Sequence, residues 1–202
     1  MDNNYYNLTM KNIPDFRSLI QNALSGSSDA HYELGELYGK GKLIKANPDL
    51  SFKWYQLSAK QGNAKALLSL GWCYFLGNGT KKNKRIGAEY FLKSAQAGCP
   101  EAQQTLASFY ESGIPGSLAK DRKRAYAWYS VAIKNKVAGN KASNSLGHIK
   151  SILSFSKNDT EIQEAEILAE DLYKQQKDIQ KHIVQLEEII EEAHSIFNQM
   201  KT

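Results

Sequence analysis

Leu34–Tyr38 reads LGELY, Leu70–Tyr74 reads LGWCY and Leu106–Tyr110 reads LASFY, in two steps of 36 residues. Ala30, Ala66 and Ala102 stand four residues ahead of these words. Alanine, leucine and tyrosine therefore fall at i, i+4 and i+8, one stripe of a helix. A second block follows each word: Trp54-Tyr55, Tyr90-Phe91 and Trp128-Tyr129, spaced 36 and 38 residues apart. Between the two blocks lie Gly41, Gly77 with Gly79, and Gly113, which break the first helix. The second block carries its own helical stripe, for example Leu50, Trp54 and Ser58 beside Tyr55 and Ala59. After the first two aromatic pairs come Ser58-Ala59 and Ser94-Ala95, then Gly62 and Gly98.

Each unit thus reads as a helix–turn–helix that cannot bury its apolar face alone. The small residues Gly35, Gly71 and Ala107 lie beside the first stripe, where a second helix must approach closely. Ala142 and Leu146-Gly147 open a fourth unit, and PDFRSLIQNAL at 14–24 forms a leading half-unit with proline in its first turn.

The pattern A-x3-LG-x2-Y-x2-G, a loop, an aromatic pair, two small residues and a glycine resembles the Sel-1-like repeat. That family is a branch of the tetratricopeptide-type solenoids, and the resemblance covers roughly residues 14–172. NDTEIQEAEILAEDLY, from Asn158 to Tyr173, is similar to the family's closing helix. Ile86-Gly87 and the longer third loop, GIPGSLAKD, depart from the family pattern. The resemblance implies an all-α α-solenoid doing adaptor or scaffold work on protein partners, without catalysis, its first helices lining the concave surface. The expected boundaries are a flexible 1–13, a solenoid over 14–158 and a long C-terminal helix over 159–202. Within the solenoid the repeats fall at about 28–63, 64–99 and 100–137, with a partial unit at 140–158.

With the core stripe assigned, the opposite face of each first helix can be read. Repeat 1 offers Asp29, Tyr32, Glu36 and Lys40, and repeat 3 offers Glu101, Gln104, Ser108 and Glu111. Repeat 2 offers Lys65, Leu68, Trp72, Phe75 and Leu76. Its Leu68, Trp72 and Phe75 sit at i, i+4 and i+7 on a face that both neighbours keep polar. An apolar cluster with a polar rim suits a groove for a partner helix or peptide, through Tyr32, Glu36, Leu68, Trp72, Phe75 and Leu76. The same stripe would equally serve internal packing against the tail or neighbouring helices.

After Gly147 the chain holds neither glycine nor proline for 55 residues. Asn158 and Glu161 form a capping-box pair. From there a seven-residue pattern puts Ile162, Ala169, Gln176, Ile183, Ile190 and Phe197 at a, and Ala165, Leu172, Ile179, Leu186, Ala193 and Met200 at d. Such a helix would span about 65 Å and must cover its seam with another copy, a partner or the solenoid. Ile162–Leu172 is expected to close the solenoid. The rest, with Ile179, Ile183, Leu186, Ile190 and Phe197, is expected to dimerise the protein or dock it in trans.

Charge divides along the chain. Residues 1–158 carry net +12 and residues 159–202 net −7, which together give the formal +5. Lys81, Lys82, Lys84 and Arg85, and then Arg122, Lys123 and Arg124 after Lys120, place cations on two successive inter-helix loops that stacking would align into a ridge. An acidic partner, above all the tail of a neighbouring copy, suits that ridge; nucleic acid or an anionic surface ranks behind, for want of any nucleic-acid motif. The final LEEIIEEAHSIFNQMKT also resembles glutamate-rich signals of type IV secretion substrates. A secreted bacterial effector that binds a host protein is therefore the alternative to a household adaptor.

Chemistry finds little footing. His31, His148, His182 and His194 include no i, i+4 pair, so no metal site is expected. Cys73 reads as a small core hydrophobe, and Cys99 falls in a turn where exposure is expected. Ser117 and Lys120 match S-x-x-K, but no K-T-G accompanies them. No phosphate-binding glycine loop is present, so neither cofactor nor small-molecule substrate is expected. No apolar stretch is long enough to cross a membrane, and MDNNYYNLTMKNIPDF lacks the basic and apolar regions of a Sec signal. The two cysteines and that N-terminus read as a reducing, cytoplasmic setting.

Overall fold

The computed structural model describes residues 16–41, 44–135, 140–155 and 159–199. The helices are α1 (Phe16–Leu24), α2 (Ser28–Lys40), α3 (Pro48–Lys60), α4 (Ala64–Leu76), α5 (Lys84–Gln96), α6 (Pro100–Ser112), α7 (Arg122–Lys134), α8 (Asn140–Phe155) and α9 (Asp159–Gln199). No strand element stands among the described residues. The pairs α2/α3, α4/α5 and α6/α7 are the three repeats, α1 caps the front, and the stack forms an all-α solenoid. The expected flexible segment 1–13 and residues 156–158 lie outside the described residues.

Local signals end the helices where the sequence puts them. Ser27, Asn47, Asn63, Asn83 and Asp121 each accept a hydrogen bond from the backbone three residues on, capping α2, α3, α4, α5 and α7. Gly41 and Gly77 close α2 and α4 in the left-handed region, at φ 63° and 89°. The six repeat helices are each 13 residues long, so they stack flush, about 20 Å end to end.

Within repeats the small residues do the work expected of them. A Cβ on Gly35 would come 2.5 Å from the Tyr55 ring, and one on Gly71 2.5 Å from the Phe91 ring. Ala107 takes this place in repeat 3, with Tyr129 buried beside it. Gly87, a departure from the family pattern, has a role: a Cβ there would lie 2.9 Å from the Gly71 carbonyl oxygen and 3.1 Å from the Phe75 nitrogen. The buried Ser58 and Ser94 donate to the Ser28 and Ala64 carbonyls at 2.7 and 2.6 Å, tying the second helix to the start of the first.

The fourth unit is built differently. α9 lies along the outside of α7, so Ala125–Tyr129, Val131 and Ala132 are buried. Lys123 meets Glu164 at 2.8 Å, the Tyr126 hydroxyl donates to Glu166 at 3.2 Å, and Lys134 pairs with Glu170. Asn135 then donates to Gln176 at 2.9 Å, so α9 runs parallel to α7. Gln176 is buried, and it also accepts from the buried Gln103 at 3.0 Å. Its side chain is thus bound within its own chain, although the seven-residue pattern places it on a seam for a partner. Gln180 extends the docking by donating to the Ala97 carbonyl at 3.1 Å. Cys99, expected at the surface, is 4% exposed, because it belongs to the core cluster that α6, α7, α8 and α9 close.

Candidate functional site

The face of the first helices opposite their core stripe, which the family resemblance implies is concave, carries an aromatic patch centred on repeat 2. Phe91, on α5, is fully buried and forms its floor. Trp72 lies edge-on to Phe91 at 4.9 Å and to Phe75 at 5.8 Å, with 38% of its surface exposed. Phe75 stacks on Phe109 of the next repeat, centroids 5.2 Å apart and planes 15° apart. Leu76 completes the patch and is 54% exposed. Lys84 Nζ stands 5.5 Å over the Phe75 ring.

Two predicted members are differently placed. Leu68 packs against the large core cluster of repeats 2 and 3, so its side chain serves mainly inside. Tyr32 packs with Tyr55, ring centroids 6.0 Å apart, and burial together with Glu36, Cys99 and Glu101 raises its phenol above the usual range. Glu36 accepts from the Tyr55 hydroxyl at 2.7 Å and pairs with Lys40. Beside the patch, Glu36, Tyr55, Ser69, Trp72, Cys73 and Asn78 line a pocket of about 360 Å³ between repeats 1 and 2, with Trp72 forming a wall of both.

Phe109 is the member that sequence reasoning missed. It occupies the repeat position of Leu37 and Cys73, which reads as core. It reaches the patch because Trp72 and Phe75 draw it across the repeat boundary. A larger groove of about 690 Å³ lies between α7 and α9, lined by Tyr126, Ser130, Lys134, Glu166, Ile167 and Glu170. Nothing in the repeat pattern announces it, since it exists only once α9 docks.

The basic ridge is partly engaged in cis. Lys123 meets Glu164, Arg124 pairs with Asp121 and lies over Tyr110, Arg85 pairs with Glu89, and Lys84 covers Phe75. Lys81, Lys82 and Arg122 are exposed. The acidic counterpart expected from a neighbouring copy is therefore supplied in part by the chain's own α9. The loops do stack: a Cβ on Gly79 would strike the Pro48 carbonyl oxygen of the preceding repeat. On α9, Ile179 is 43% exposed, while the side chains of Ile183, Leu186, Ile190 and Phe197 lie outside the described residues.

The remaining chemistry is structural. His31 is buried, with Nε2 donating to the Ala23 carbonyl at 3.0 Å and Nδ1 accepting from Gln61 at 3.1 Å, and its ring stacks on Trp54. It ties α1 to repeat 1. Burial pushes the Cys73 thiol up to about 11 and also raises that of Cys99, so neither favours thiolate at neutral pH. Among the described residues there is no cluster of three His, Cys, Asp or Glu side chains suited to a metal. No helix among them is long and apolar enough to cross a membrane.

A family model described as the Sel1 repeat matches residues 28–63, 64–99 and 100–136. The chain is 30% identical over 146 residues to the chitin synthase regulator SKT5 of Saccharomyces cerevisiae, covering 69% of this chain and 20% of that protein. It is 33% identical over 122 residues to chitin synthase regulatory factor 3 of Schizosaccharomyces pombe, covering 59% of this chain and 13% of that one. The chain thus spans a fifth or less of these curated relatives' length. Among solved structures, a Sel1 repeat protein from Oxalobacter formigenes superposes with a TM-score of 0.58 at 34% identity, covering 67% of this chain and 99% of that chain.

Proposed function

This chain belongs to the Sel1 repeat family, and from that premise we propose that it is a protein-interaction adaptor whose aromatic patch takes the apolar side of a partner helix or peptide. The observation that carries this reading is the exposed surface of Trp72 beside Leu76, at positions where repeat 1 has Glu36 and Lys40 and repeat 3 has Ser108 and Ser112. A packing role alone would be met by the buried ring of Phe91. Exposed aromatics over a rigid floor, rimmed by Glu36 and Lys84, have the make-up of an interaction hot spot: desolvated at the centre, polar at the rim. The pocket beside Trp72 would receive one side chain of the partner, with Glu36 and Ser69 available for its polar atoms. The relatives named as regulators of chitin synthase fit a chain that works by holding other proteins rather than by catalysis. The exposed part of α9 would provide a second attachment, so that one rigid body could bridge two partners.

The test is affinity capture with mass spectrometry, using wild type and a W72E/F91Y double variant. The variant installs in repeat 2 the Glu–Tyr pair found in repeat 1, and so puts a charge at the centre of the patch while retaining a bonded core. Partners lost from the variant, with its helical circular dichroism intact, support the reading. An unchanged set of partners sinks it.

A further inference from the structure

α9 carries its C-terminal part away from the patch. It follows α7 from Glu164, beside Lys123, to Gln176, beside Asn135, and Gln180 contacts Ala97 in the turn between repeats 2 and 3. Phe75, Leu76, Phe109 and Lys84 lie at the opposite edge of the stack, where first helices pass into second ones. The helix continues unbroken to Gln199. After Gln180 it adds a further 19 residues, roughly 28 Å of helix, beyond the part that docks on α7.

The sequence of that last part is apolar and acidic. It carries Ile183, Leu186, Ile190 and Phe197 at seven-residue seam positions and Glu187, Glu188, Glu191 and Glu192 between them. The patch has the complementary make-up. Trp72, Phe75, Leu76 and Phe109 are apolar, and Lys81 and Lys82 follow on the loop after Leu76, with Lys84 and Arg85 at the start of α5. Lys120 lies on the corresponding loop of the next repeat and Arg122 opens α7, and all of these cations but Lys84 are exposed. Among the described residues, no ion pair involves Lys81, Lys82, Lys120 or Arg122.

We infer that the helix received by the patch is the C-terminal end of α9, from about residue 181 onward, of a second copy of this chain, exchanged reciprocally in a two-fold dimer. Capture within one chain would require α9 to break and reverse, and no glycine or proline follows Gly147 to let it do so. Capture in trans needs no break. It places the glutamates on the cationic loops and the apolar seam on the aromatic floor, twice over by symmetry. The inference rests on reading the patch as a docking groove.

The experiment is light-scattering or sedimentation mass of full-length chains over a range of concentrations. Wild type is expected to dimerise. W72E/F91Y, and separately Leu76→Glu at a surface position, are expected to weaken the dimer by about thirtyfold or more, as loss of a hot spot does. I183D/I190D is expected to be monomeric. The decisive arm mixes the two defects: I183D/I190D keeps an intact patch, W72E/F91Y keeps an intact tail, and together they should form a one-to-one heterodimer through a single exchange. A dimer formed by W72E/F91Y alone, with undiminished affinity, means that seam pairs with seam and overturns the inference. A monomeric wild type overturns it as well. If that monomer still loses captured proteins on W72E/F91Y substitution, the groove stands and only its occupant is wrong.

Discussion

In repeat 1 the second helix lays Tyr55 against Gly35, and its hydroxyl reaches Glu36 at 2.7 Å. In repeat 2 the second helix lays Phe91 against Gly71 at the same closeness, and Trp72 stands where Glu36 stood. Repeat 3 returns to the polar solution, with Tyr129 donating to Glu111 at 3.0 Å. Glu111 holds the repeat position that Phe75 occupies in repeat 2. Three positions thus differ in the middle repeat: the hydroxyl is gone from residue 91, and aromatic rings stand at 72, where repeat 1 has Glu36, and at 75, where repeat 3 has Glu111. The backbone approach is untouched. The scaffold is carried by the glycine–ring contact, and the character of the exposed face is set independently by the residues beside it.

The comparison breaks most visibly if the ring itself is removed. Phe91→Ala should cost about 3–5 kcal/mol in denaturant unfolding, since a fully buried ring leaves a cavity that two helices line. A loss below ~1 kcal/mol would mean that repeat 2 is not held by this ring. Next in size are Gly35→Ala and Gly71→Ala, each placing a Cβ 2.5 Å from a ring carbon and each expected to cost about 1–3 kcal/mol. Equal losses sharpen the equivalence of the two interfaces. Tolerance at one alone would show that its ring can yield.

Smaller still is Tyr55→Phe, which deletes the bond to Glu36 and should cost about 1 kcal/mol, because Glu36 keeps Lys40 as a partner. Alkaline pH gives the gentlest test. Burial raises Cys73 from 9.0 to about 11, and burial together with the bond to Glu36 raises Tyr55 further. A raised pKa on an acid that loses its proton means that the unfolded chain ionises first. Stability is therefore complete below the ordinary values and falls as pH rises from 9.0 through about 11. Melting temperature followed across this range should decline, and Tyr55→Phe should flatten part of the decline. A level profile would show that neither group is held neutral by the fold.

Much of this was legible beforehand because it is local. The closing glycines and the close approach at Gly35 and Gly71 depend on residues within one repeat. The patch was partly legible: Trp72, Phe75 and Leu76 stand out against polar neighbours. Leu68 did not separate from them, because a helical stripe gives direction around the axis and not the depth to which a neighbouring repeat covers it. Phe109 was hidden for the converse reason: a core position in one repeat borders the face of another.

The sequence by itself determined the repeats, the all-α solenoid and the family, since each follows from recurrence and from contacts at helical spacing. Only the tertiary structure decided how the acidic tail is divided. A seven-residue apolar pattern is satisfied by any apolar surface of matching length. The pattern could not say that Gln176 would bond Gln103, 73 residues away, or that Glu164 would take Lys123 from the basic ridge. Those pairings depend on which helix lies beside which after the stack has formed. That is a property of distance in space, which periodicity along the chain does not encode.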